Sequence, residues 1–424
     1  MEESVKKRIE AVRHGEVPNG YHVENGYLIP NNWKTVPLNS KFTRSTRKNK
    51  TGCDNVLTIS AQMGLVNQRE FYDKDIASED KSGYFLLKNG EFTYNKSYST
   101  GYPYGAIKQL TKYSEGIVSP LYICFAPKAG TNTAFYTQYF EGGRYNREIY
   151  RIAQEGARNH GLLNVAVEDF FTGTLAEPPA DEQQKMAKIL ATCDRVIELK
   201  QQLLEEKRRQ KQWLMQKLLD PNSGVRLPGF ENSIWKKIVI GEECEMFSGG
   251  TPKAGKDEYY IEGTIPFIRS GEIAGDKTEL FLTDAGYNSS SAKMVQVGDI
   301  LYALYGANSG ECSISKINGA INQAILCVRP KCIERKMLYY LLYANKQRIV
   351  ATYLQGGQGN LSADIIKKLV VELPEGKEHQ RKIVEIMQAA DNDITCYEAE
   401  LKAWQQKKKA LMQLLLTGLV RVNA

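Results

Sequence analysis

The sequence predicts an α+β protein in which two mixed, mainly β lobes alternate with two long helices that pair as an antiparallel coiled coil. Three observations predict this tandem, pseudo-two-fold plan: an internal repeat with an offset of 197 residues, heptads of apolar residues in the repeated segments, and short apolar runs bounded by glycine-rich turns between them. The 424 residues also exceed what one hydrophobic core usually organises. We expect lobes at residues 1–179 and 221–373 and helices at residues 180–220 and 374–418.

The repeat is strongest in the two helical segments, where residues 182–219 align without a gap on residues 379–416. Twelve of the 38 aligned positions are identical, among them Asp194 over Asp391 and a shared Leu-Met-Gln. Weaker similarities upstream of each segment occur in the same order in both halves. Because two like halves tend to pack isologously, the duplication predicts a pseudo-two-fold molecule.

The two helical segments have recognisable ends and a seam for a partner helix. Pro178 and Pro179 precede the first helix, and Pro221 prevents it from continuing. Apolar residues recur at alternating steps of three and four, which is the spacing of a coiled coil; a coiled coil that serves only oligomerisation is the alternative interpretation. The predicted seam and partner-interface residues are Met186, Ile189, Cys193, Val196, Leu203, Leu214, Leu218, Ile394, Tyr397, Leu401, Trp404, Leu411 and Leu415.

The lobes hold short apolar runs separated by glycine-rich turns, which is typical of mainly β structure. Two longer segments, placed equivalently in the two lobes, have helical periodicity and strengthen the evidence for a duplication. The predicted strands are residues 55–59, 120–125, 264–268, 299–303 and 323–328, and the predicted lobe helices are residues 4–13, 136–154 and 334–354.

Composition and motifs exclude several classes of protein. With 42% hydrophobic and 25% charged residues the chain is not intrinsically disordered, and it has neither a membrane-spanning apolar run nor an apolar leader, so we expect a cytoplasmic protein. Eight cysteines without a Cys-x-x-Cys pair and four histidines without zinc-site spacing predict buried reduced thiols and no metal site. Without a phosphate loop or a nucleophile elbow the sequence predicts no catalytic residue, so any catalysis is expected in a partner.

Almost all of the net charge of +7 lies in the first lobe, where residues 1–165 hold 22 Lys and Arg against 16 Asp and Glu. Residues 41–50 alone hold five cations with hydroxyl and amide side chains between them. Such a loop suits phosphate contacts, and a solvated surface loop is the alternative. Forked and amide side chains elsewhere are of the types that read base edges. The candidate DNA-binding residues are Lys41, Arg44, Arg47, Lys48, Lys50, Lys96, Lys253, Lys256, Arg269 and Gln323.

Several motifs together resemble one family. The first helix opens Pro178-x-x-x-Glu-Gln-x-Lys185, the second opens Pro374-x-x-x-Glu-His-Gln-x-Lys382, and the second lobe contains Phe247-Ser-Gly-Gly-Thr-Pro252 followed by Gly263-Thr-Ile-Pro-Phe-Ile-Arg-Ser-Gly-Glu272. In this order and repetition they are similar to the specificity subunits of type I restriction–modification systems. The chain departs from the pattern at His379, where Gln is typical, and the first lobe lacks the Ser-Gly-Gly-Thr-Pro element.

The resemblance implies a non-catalytic subunit whose two lobes are target recognition domains, each reading half of a bipartite, asymmetric site in double-stranded DNA. It implies that the long helices set the spacing of the half-sites and dock two methyltransferase subunits that use S-adenosylmethionine, with restriction subunits that use ATP and Mg²⁺, and no cofactor in this chain. Three alternatives remain: a coiled-coil scaffold without DNA binding, a specificity subunit whose partner fuses methyltransferase and nuclease, and an enzyme in the second lobe using Asp257, Glu258 and Asp284.

Overall fold

The chain divides into two compact units, and the division into four segments expected from the sequence stays a prediction. The structure, a computed structural model, describes residues 3–60, 63–72, 80–99, 101–153, 163–253, 255–353 and 360–422. The first unit comprises residues 1–200 with 400–424, and the second comprises residues 201–399. Each unit therefore contains one lobe and a part of each long helix, because the boundary passes through both helices instead of through the ends of the lobes.

The first unit consists of short strands and helices around an aromatic core. Its strands are β1 (Tyr21–Glu24), β2 (Tyr27–Pro30), β3 (Lys34–Pro37), β4 (Phe42–Ser45), β5 (Leu57–Ser60), β6 (Gly64–Asn67), β7 (Phe85–Lys88), β8 (Phe92–Asn95), β9 (Ala106–Gln109), β10 (Glu115–Val118), β11 (Ile123–Pro127) and β12 (Thr174–Glu177). Its helices are α1 (Glu3–Arg13), α2 (Leu38–Lys41), α3 (Gln68–Tyr72), α4 (Thr133–Glu141), α5 (Asn146–Ile152), α6 (Val167–Thr172) and the first part of α7 (Ala180–Leu218).

An antiparallel sheet of order β4-β11-β8-β9 forms the centre of the first unit, and β3 pairs with β12 beside it. Phe42, Phe92 and Phe125 project from this sheet with ring centroids 5.3 to 5.5 Å apart. Aromatic pairs at this separation add to the free energy gained by burying their area, so the rings hold the three neighbouring strands together.

The second unit repeats this plan and adds a second sheet. Its strands are β13 (Trp235–Val239), β14 (Cys244–Ser248), β15 (Ile265–Ile268), β16 (Phe281–Leu282), β17 (Lys293–Val295), β18 (Ile300–Ala303), β19 (Cys312–Ile314), β20 (Gly319–Ile321), β21 (Ile325–Pro330) and β22 (Val370–Pro374). Its helices are α8 (Ile240–Glu243), α9 (Asp284–Asn288), α10 (Arg335–Ala344), α11 (Lys346–Tyr353), α12 (Ala363–Lys367) and the first part of α13 (Lys377–Leu415), with short 3-10 turns at Asp257–Tyr259 and Gly306–Asn308.

The sheet of order β14-β21-β18-β19 matches the central sheet of the first unit strand for strand, and β13 pairs with β22 as β3 pairs with β12. The added sheet has the order β16-β15-β20-β17, in which β15 and β20 run parallel. The α+β class and the tandem duplication predicted from the sequence are confirmed.

The strands predicted from the sequence overlap β5, β11, β15, β18 and β21, and the N-terminal helix overlaps α1. The two longer lobe helices were predicted as single elements, and each is divided in two. Gly143, with a φ of 67°, separates α4 from α5, because a left-handed residue cannot continue a right-handed helix. Asn345 separates α10 from α11. The predicted final residues of these helices, Gln154 and Leu354, lie outside the described residues.

Each long helix is 39 residues long and contributes one part to each unit. In the first unit the N-terminal part of α7 packs antiparallel to the C-terminal part of α13, and Met186, Leu190 and Leu415 are among the buried residues of their common core. In the second unit the equivalent residues Ile383, Met387 and Leu218 are buried in the same way. Both cores therefore use the same repeat positions, 197 residues apart.

The seam of α7 differs by one residue from the prediction at two places. Ile189 and Leu203 are 37% and 39% exposed, whereas their neighbours Leu190 and Leu204 are 0% and 5% exposed. Each residue of a helix is rotated by about 100° from the last, so a one-residue error moves a side chain off the buried face. The remaining predicted seam residues are buried or half-buried: Met186, Cys193, Val196, Leu214, Leu218, Ile394, Tyr397, Leu401, Trp404, Leu411 and Leu415.

A polar pair fixes the register of the helices in each unit. In the first unit Lys408 lies 2.5 Å from Asp194, which also accepts a 2.8 Å hydrogen bond from Gln138 of α4. In the second unit Lys211 lies 2.5 Å from Asp391, which accepts a 2.7 Å hydrogen bond from Tyr340 of α10. Because a partly buried ion pair loses its partner when one helix slips, such pairs specify register.

The Pro-x-x-x-Glu-Gln opening of the helices has a structural role. Gln183 donates through Nε2 to the carbonyl of Pro178 at 2.8 Å, and Gln380 donates to the carbonyl of Pro374 at 2.7 Å. Both glutamines are buried. Each therefore ties the start of its long helix to the strand before it and satisfies a carbonyl that would otherwise lack a donor.

Candidate nucleic-acid interface

In the first unit the structure brings together two of the predicted DNA-binding cations that lie 52 residues apart. Arg44 on β4 and Lys96 after β8 line one cavity of about 150 Å³, which the start of β11 closes. Lys96 donates to the carbonyl of Val165 at 3.1 Å, and burial lowers the pKa of its ammonium. Arg44 is exposed and has no ion pair among the described residues. Its guanidinium can therefore meet a phosphate or a base edge without losing an internal partner.

Three other predicted cations of the first unit are held by internal contacts. Lys41 forms an ion pair with the buried Glu177. Lys48 donates to the carbonyl of Gly83 at 2.8 Å and lies 4.2 Å from the centroid of the Phe85 ring. These contacts stabilise the lobe and use donors that a phosphate would need.

Arg47 is the third of these cations, and both of its terminal nitrogens lie 3.1 Å from the Glu91 carboxylate. A bidentate pair of this kind is a strong and directional contact. The fifth cation of the loop, Lys50, is exposed and without an ion pair among the described residues. Within the Lys41–Lys50 loop, Arg44 and Lys50 thus remain available for a ligand.

The sequence interpretation missed a carboxylate that both units share. Glu91 accepts from the backbone N–H of Lys88 at 2.8 Å and pairs with Arg47, while Asp299 accepts from the N–H of Gln296 at 2.8 Å and pairs with Arg329 at 2.7 Å. Both acids are buried and follow a glycine of positive φ at the start of equivalent strands. The signal in the sequence was the repeated Gly-Glu and Gly-Asp before β8 and β18.

In the second unit the Ser-Gly-Gly-Thr-Pro element is shaped by close backbone packing. A Cβ at Gly249 would lie 1.8 Å from the carbonyl oxygen of Ile321, so only glycine fits. This approach brings Thr251 to Gln323, to whose Oε1 it donates at 2.8 Å. The amide nitrogen of Gln323 keeps its donors, and an amide side chain at an exposed edge can read a base. Lys253, two residues after Thr251, is exposed and without an ion pair among the described residues.

The other two predicted cations of the second unit are occupied. Arg269 donates to Glu272 at 2.9 Å and to Glu279 at 2.6 Å, and its bonds to Glu272, with the backbone N–H groups of Glu279 and Arg269, lower the pKa of Glu272 to about 2. Lys256 lies 3.1 Å from Glu258 and 3.2 Å from the Tyr259 hydroxyl. The Arg-Ser-Gly-Glu motif therefore closes a turn of the second unit. The roles of Arg269 and Lys256 as DNA contacts remain predictions. Carboxylates of the same unit already neutralise the charges of both side chains.

Other kinds of site are not found within the described ranges. No three His, Cys, Asp or Glu side chains among these residues converge as a metal ion requires. All eight cysteines are free thiols, and Cys332 and Cys396 are exposed, which corrects the expectation that all would be buried. No helix in the described part of the chain is long and apolar enough to cross a membrane.

Known proteins share both the sequence pattern and the fold. A family model described as the type I restriction modification DNA specificity domain matches residues 232–403. A putative type I restriction enzyme MjaX specificity subunit from Methanocaldococcus jannaschii is 27% identical over an alignment of 306 positions, which covers 68% of this chain and 68% of that protein.

Two solved structures, each 16% identical to this chain, share its fold. One was determined to show complex assembly and conformational transition of the type I R-M system; the match covers 93% of this chain and 100% of that chain with a TM-score of 0.60. The other is the type I restriction–modification S subunit from M. genitalium, with 93% and 97% covered and a TM-score of 0.55.

The matched segment is a DNA specificity domain, and the internal repeat places a second copy of the same plan in the first half of the chain. Over most of its length the chain is therefore similar to the specificity subunits of type I restriction–modification systems. The resemblance found in the sequence is thereby confirmed.

Proposed function

We propose that the chain recognises a bipartite, asymmetric site in double-stranded DNA, with each lobe contacting one half. The observation that carries the proposal is that equivalent strands, β11 and β21, position different side chains at the two candidate surfaces. The strand registers make Pro127 of β11 equivalent to Pro330 of β21, so Pro120 before β11 corresponds to Gln323 before β21, whose side chain is bonded to Thr251. One frame with different side chains suits two half-sites of different sequence, since base edges are read by a few side chains in the major groove.

The proposal includes the partners that supply the chemistry. Two methyltransferase subunits that use S-adenosylmethionine would dock on the long helices, and restriction subunits using ATP and Mg²⁺ would complete the complex, while this chain carries no cofactor. Exposed apolar residues of α7, including Ile189, Leu199 and Trp213, support a role of that helix in binding other subunits. The complex would work in the cytoplasm on the DNA of the cell.

The test is to express the chain with the methyltransferase encoded beside it and to map N6-methyladenine in the host DNA by single-molecule sequencing. We expect a bipartite methylated motif that disappears when this chain is deleted. The double substitution Arg44→Ala and Lys96→Ala should weaken binding to one half-site and thereby reduce methylation of the motif by tenfold or more. The reason is that a lost base or phosphate contact is worth about 1–3 kcal/mol. Thr251→Ala with Gln323→Ala should relax the other half.

Lys112→Ala, an exposed cation of the first unit away from the cavity, is the matched control and should leave the motif unchanged. Methylation that does not depend on this chain, or a motif that changes in both halves with either pair of substitutions, would contradict the proposal. Absence of any DNA binding would favour the scaffold alternative.

A further inference from the structure

A large cleft of the second unit is lined by neither Thr251 nor Gln323. It has a volume of about 1480 Å³ and is lined by α10, α11 and the parts of α7 and α13 that belong to this unit. Seven Lys and Arg side chains line it, against the three carboxylates of Asp220, Glu372 and Asp391. The lining therefore carries an excess of four positive charges.

Four of the seven cations already have carboxylate partners in the second unit: Arg208, Lys211, Lys237 and Lys346. The other three, Lys316, Lys336 and Arg348, have neither an ion pair nor a side-chain hydrogen bond among the described residues. Concave surfaces with one sign of charge focus the electric field and attract counterions. Because Glu398 and Glu311, the partners of Arg208 and Lys346, lie outside the lining, the uncompensated charge of the cleft is the three unpaired cations less the unpaired carboxylate of Asp220, an excess of two.

The charge of this cleft is specific to the second unit. Residues 335–353, which form α10 and α11, contain four cations and no Asp or Glu. In the equivalent α4 and α5 of the first unit Arg151 pairs with Glu148 at 2.7 Å, and Arg144 and Arg147 lie over the Tyr27 ring. The equivalent helices of the first unit thus hold their cations in internal contacts, so the unpaired cations of the cleft are an addition to the frame that both units share.

We infer that this cleft binds the phosphodiester backbone of nucleic acid without reading its sequence. Lys, Arg and amide side chains are the usual donors to phosphate, and Gln212, Gln347 and Asn392 lie on the same walls as the unpaired cations. The volume exceeds the roughly 300–1000 Å³ of small-molecule sites, which favours a polymer. The identification of that polymer as nucleic acid rests on the proposed function.

An acidic polypeptide is the less suitable occupant. Protein interfaces concentrate their binding energy in pockets for a few large side chains, and aromatic residues are prominent among them. Here Tyr340 is 2% exposed and donates to Asp391, while Tyr339 packs on it with ring centroids 5.0 Å apart. The Tyr343 ring lies 4.9 Å beneath the Lys211 ammonium. The aromatic side chains of the cleft are thus engaged within the unit.

The test compares the full chain with the triple variant Lys316→Gln, Lys336→Gln and Arg348→Gln. Binding of labelled oligonucleotides of about 30 nucleotides, both random duplex and single-stranded oligo-dT, is measured by anisotropy over a range of salt concentrations. Each lost phosphate contact lowers the slope of log K against log salt by about 0.9 for duplex and about 0.7 for a single strand, so we expect losses of about 2.7 or 2. The probe with the larger loss identifies the form that occupies the cleft.

The matched control is Lys236→Gln, Lys277→Gln and Lys368→Gln, which removes three exposed cations of the same unit that do not line the cleft. We expect this control to keep the wild-type slope, and both variants to keep the wild-type urea midpoint. A triple variant with the wild-type slope for both probes would overturn the inference, as would loss of polyglutamate binding with nucleic-acid binding intact. Failure of the wild-type chain to bind any DNA would instead contradict the proposed function.

Discussion

The two units share their frame and differ in what they place on it. Four equivalent strands in the same order, a paired Asp in each long helix and a buried acid before β8 and β18 recur in both. The core filling differs, since α4 buries aromatic side chains where α10 buries Met and Leu at the equivalent positions. Positions that hold the fold therefore keep the same chemical character in both units, whereas surface positions differ. Under the proposed function, these differing surface positions distinguish the two half-sites.

The ends of the long helices show the same contrast. In the first unit Glu182 at the start of α7 pairs with Arg421 and accepts from the Trp33 indole at 3.2 Å. In the second unit His379 takes the equivalent place, stacks on Phe230 with centroids 4.5 Å apart and bonds to Ser233 at 2.8 Å. The ion pair of Glu182 in the first unit and the stacked His379 in the second unit each hold the start of a long helix against its lobe. The two units should consequently respond differently to pH.

The largest expected effect comes from placing a charge in the seam, the buried face along which α7 and α13 pack in each unit. Leu190→Asp should lower the free energy of unfolding of the first unit by about 3–5 kcal/mol, because the carboxylate would be buried without a partner. Hydrogen exchange of first-unit peptides against urea measures it. The neighbouring Ile189→Asp is the control and should change it by less than about 1 kcal/mol, since this side chain is exposed.

If Leu190→Asp does not fold, Leu190→Ala should still lower the unfolding free energy by about 2–5 kcal/mol. Met387→Asp should reproduce the effect in the second unit, because Met387 is the repeat equivalent of Leu190 and is equally buried. Equal effects of the substitutions at 189 and 190 would show that the seam lies elsewhere and that the shared frame is wrong.

A smaller effect is expected where the two units differ, at the glycine loop of the second unit. Gly249→Ala should lower the unfolding free energy of that unit by about 1–3 kcal/mol, because its Cβ would overlap the Ile321 carbonyl and the backbone must shift. The shift should also move Thr251 away from Gln323 and weaken recognition of one half-site. Urea denaturation with methylation mapping checks both. Gly376→Ala, which meets nothing within 4 Å, should stay within about 0.5 kcal/mol of wild type.

The sequence alone predicted the class, the repeat and most strands, because apolar periodicity and turns are local signals. It misplaced the seam at residues 189 and 203 because each is followed by a second apolar residue, and periodicity alone fits either. The internal repeat identifies the correct residue at the second place, because its offset of 197 aligns the predicted seam residue Leu401 with Leu204, which is buried.

Composition could not separate the cations of the Lys41–Lys50 loop. Arg44 and Arg47 look alike in sequence, but Arg47 meets Glu91, 44 residues away, and Arg44 does not. Only tertiary structure shows which carboxylate neutralises which guanidinium, since such pairing is long-range and depends on strand order. For the same reason the unpaired cations of the second-unit cleft were not among the candidates drawn from the sequence.

The smallest expected effect is the pH response of the second unit. Burial, with Arg226 nearby, lowers the pKa of His379, so the folded chain takes up its proton at a lower pH than the unfolded chain. Stability should therefore be complete above the ordinary His pKa of about 6.5 and fall as the pH drops from there to the lowered pKa. Urea midpoints of second-unit peptides between neutral and mildly acidic pH measure the fall. His379→Gln should remove this part of the pH dependence, whereas His14→Gln, an exposed histidine, should not. An unchanged pH profile in His379→Gln would contradict this prediction, because it would show that folding does not change the proton affinity of His379.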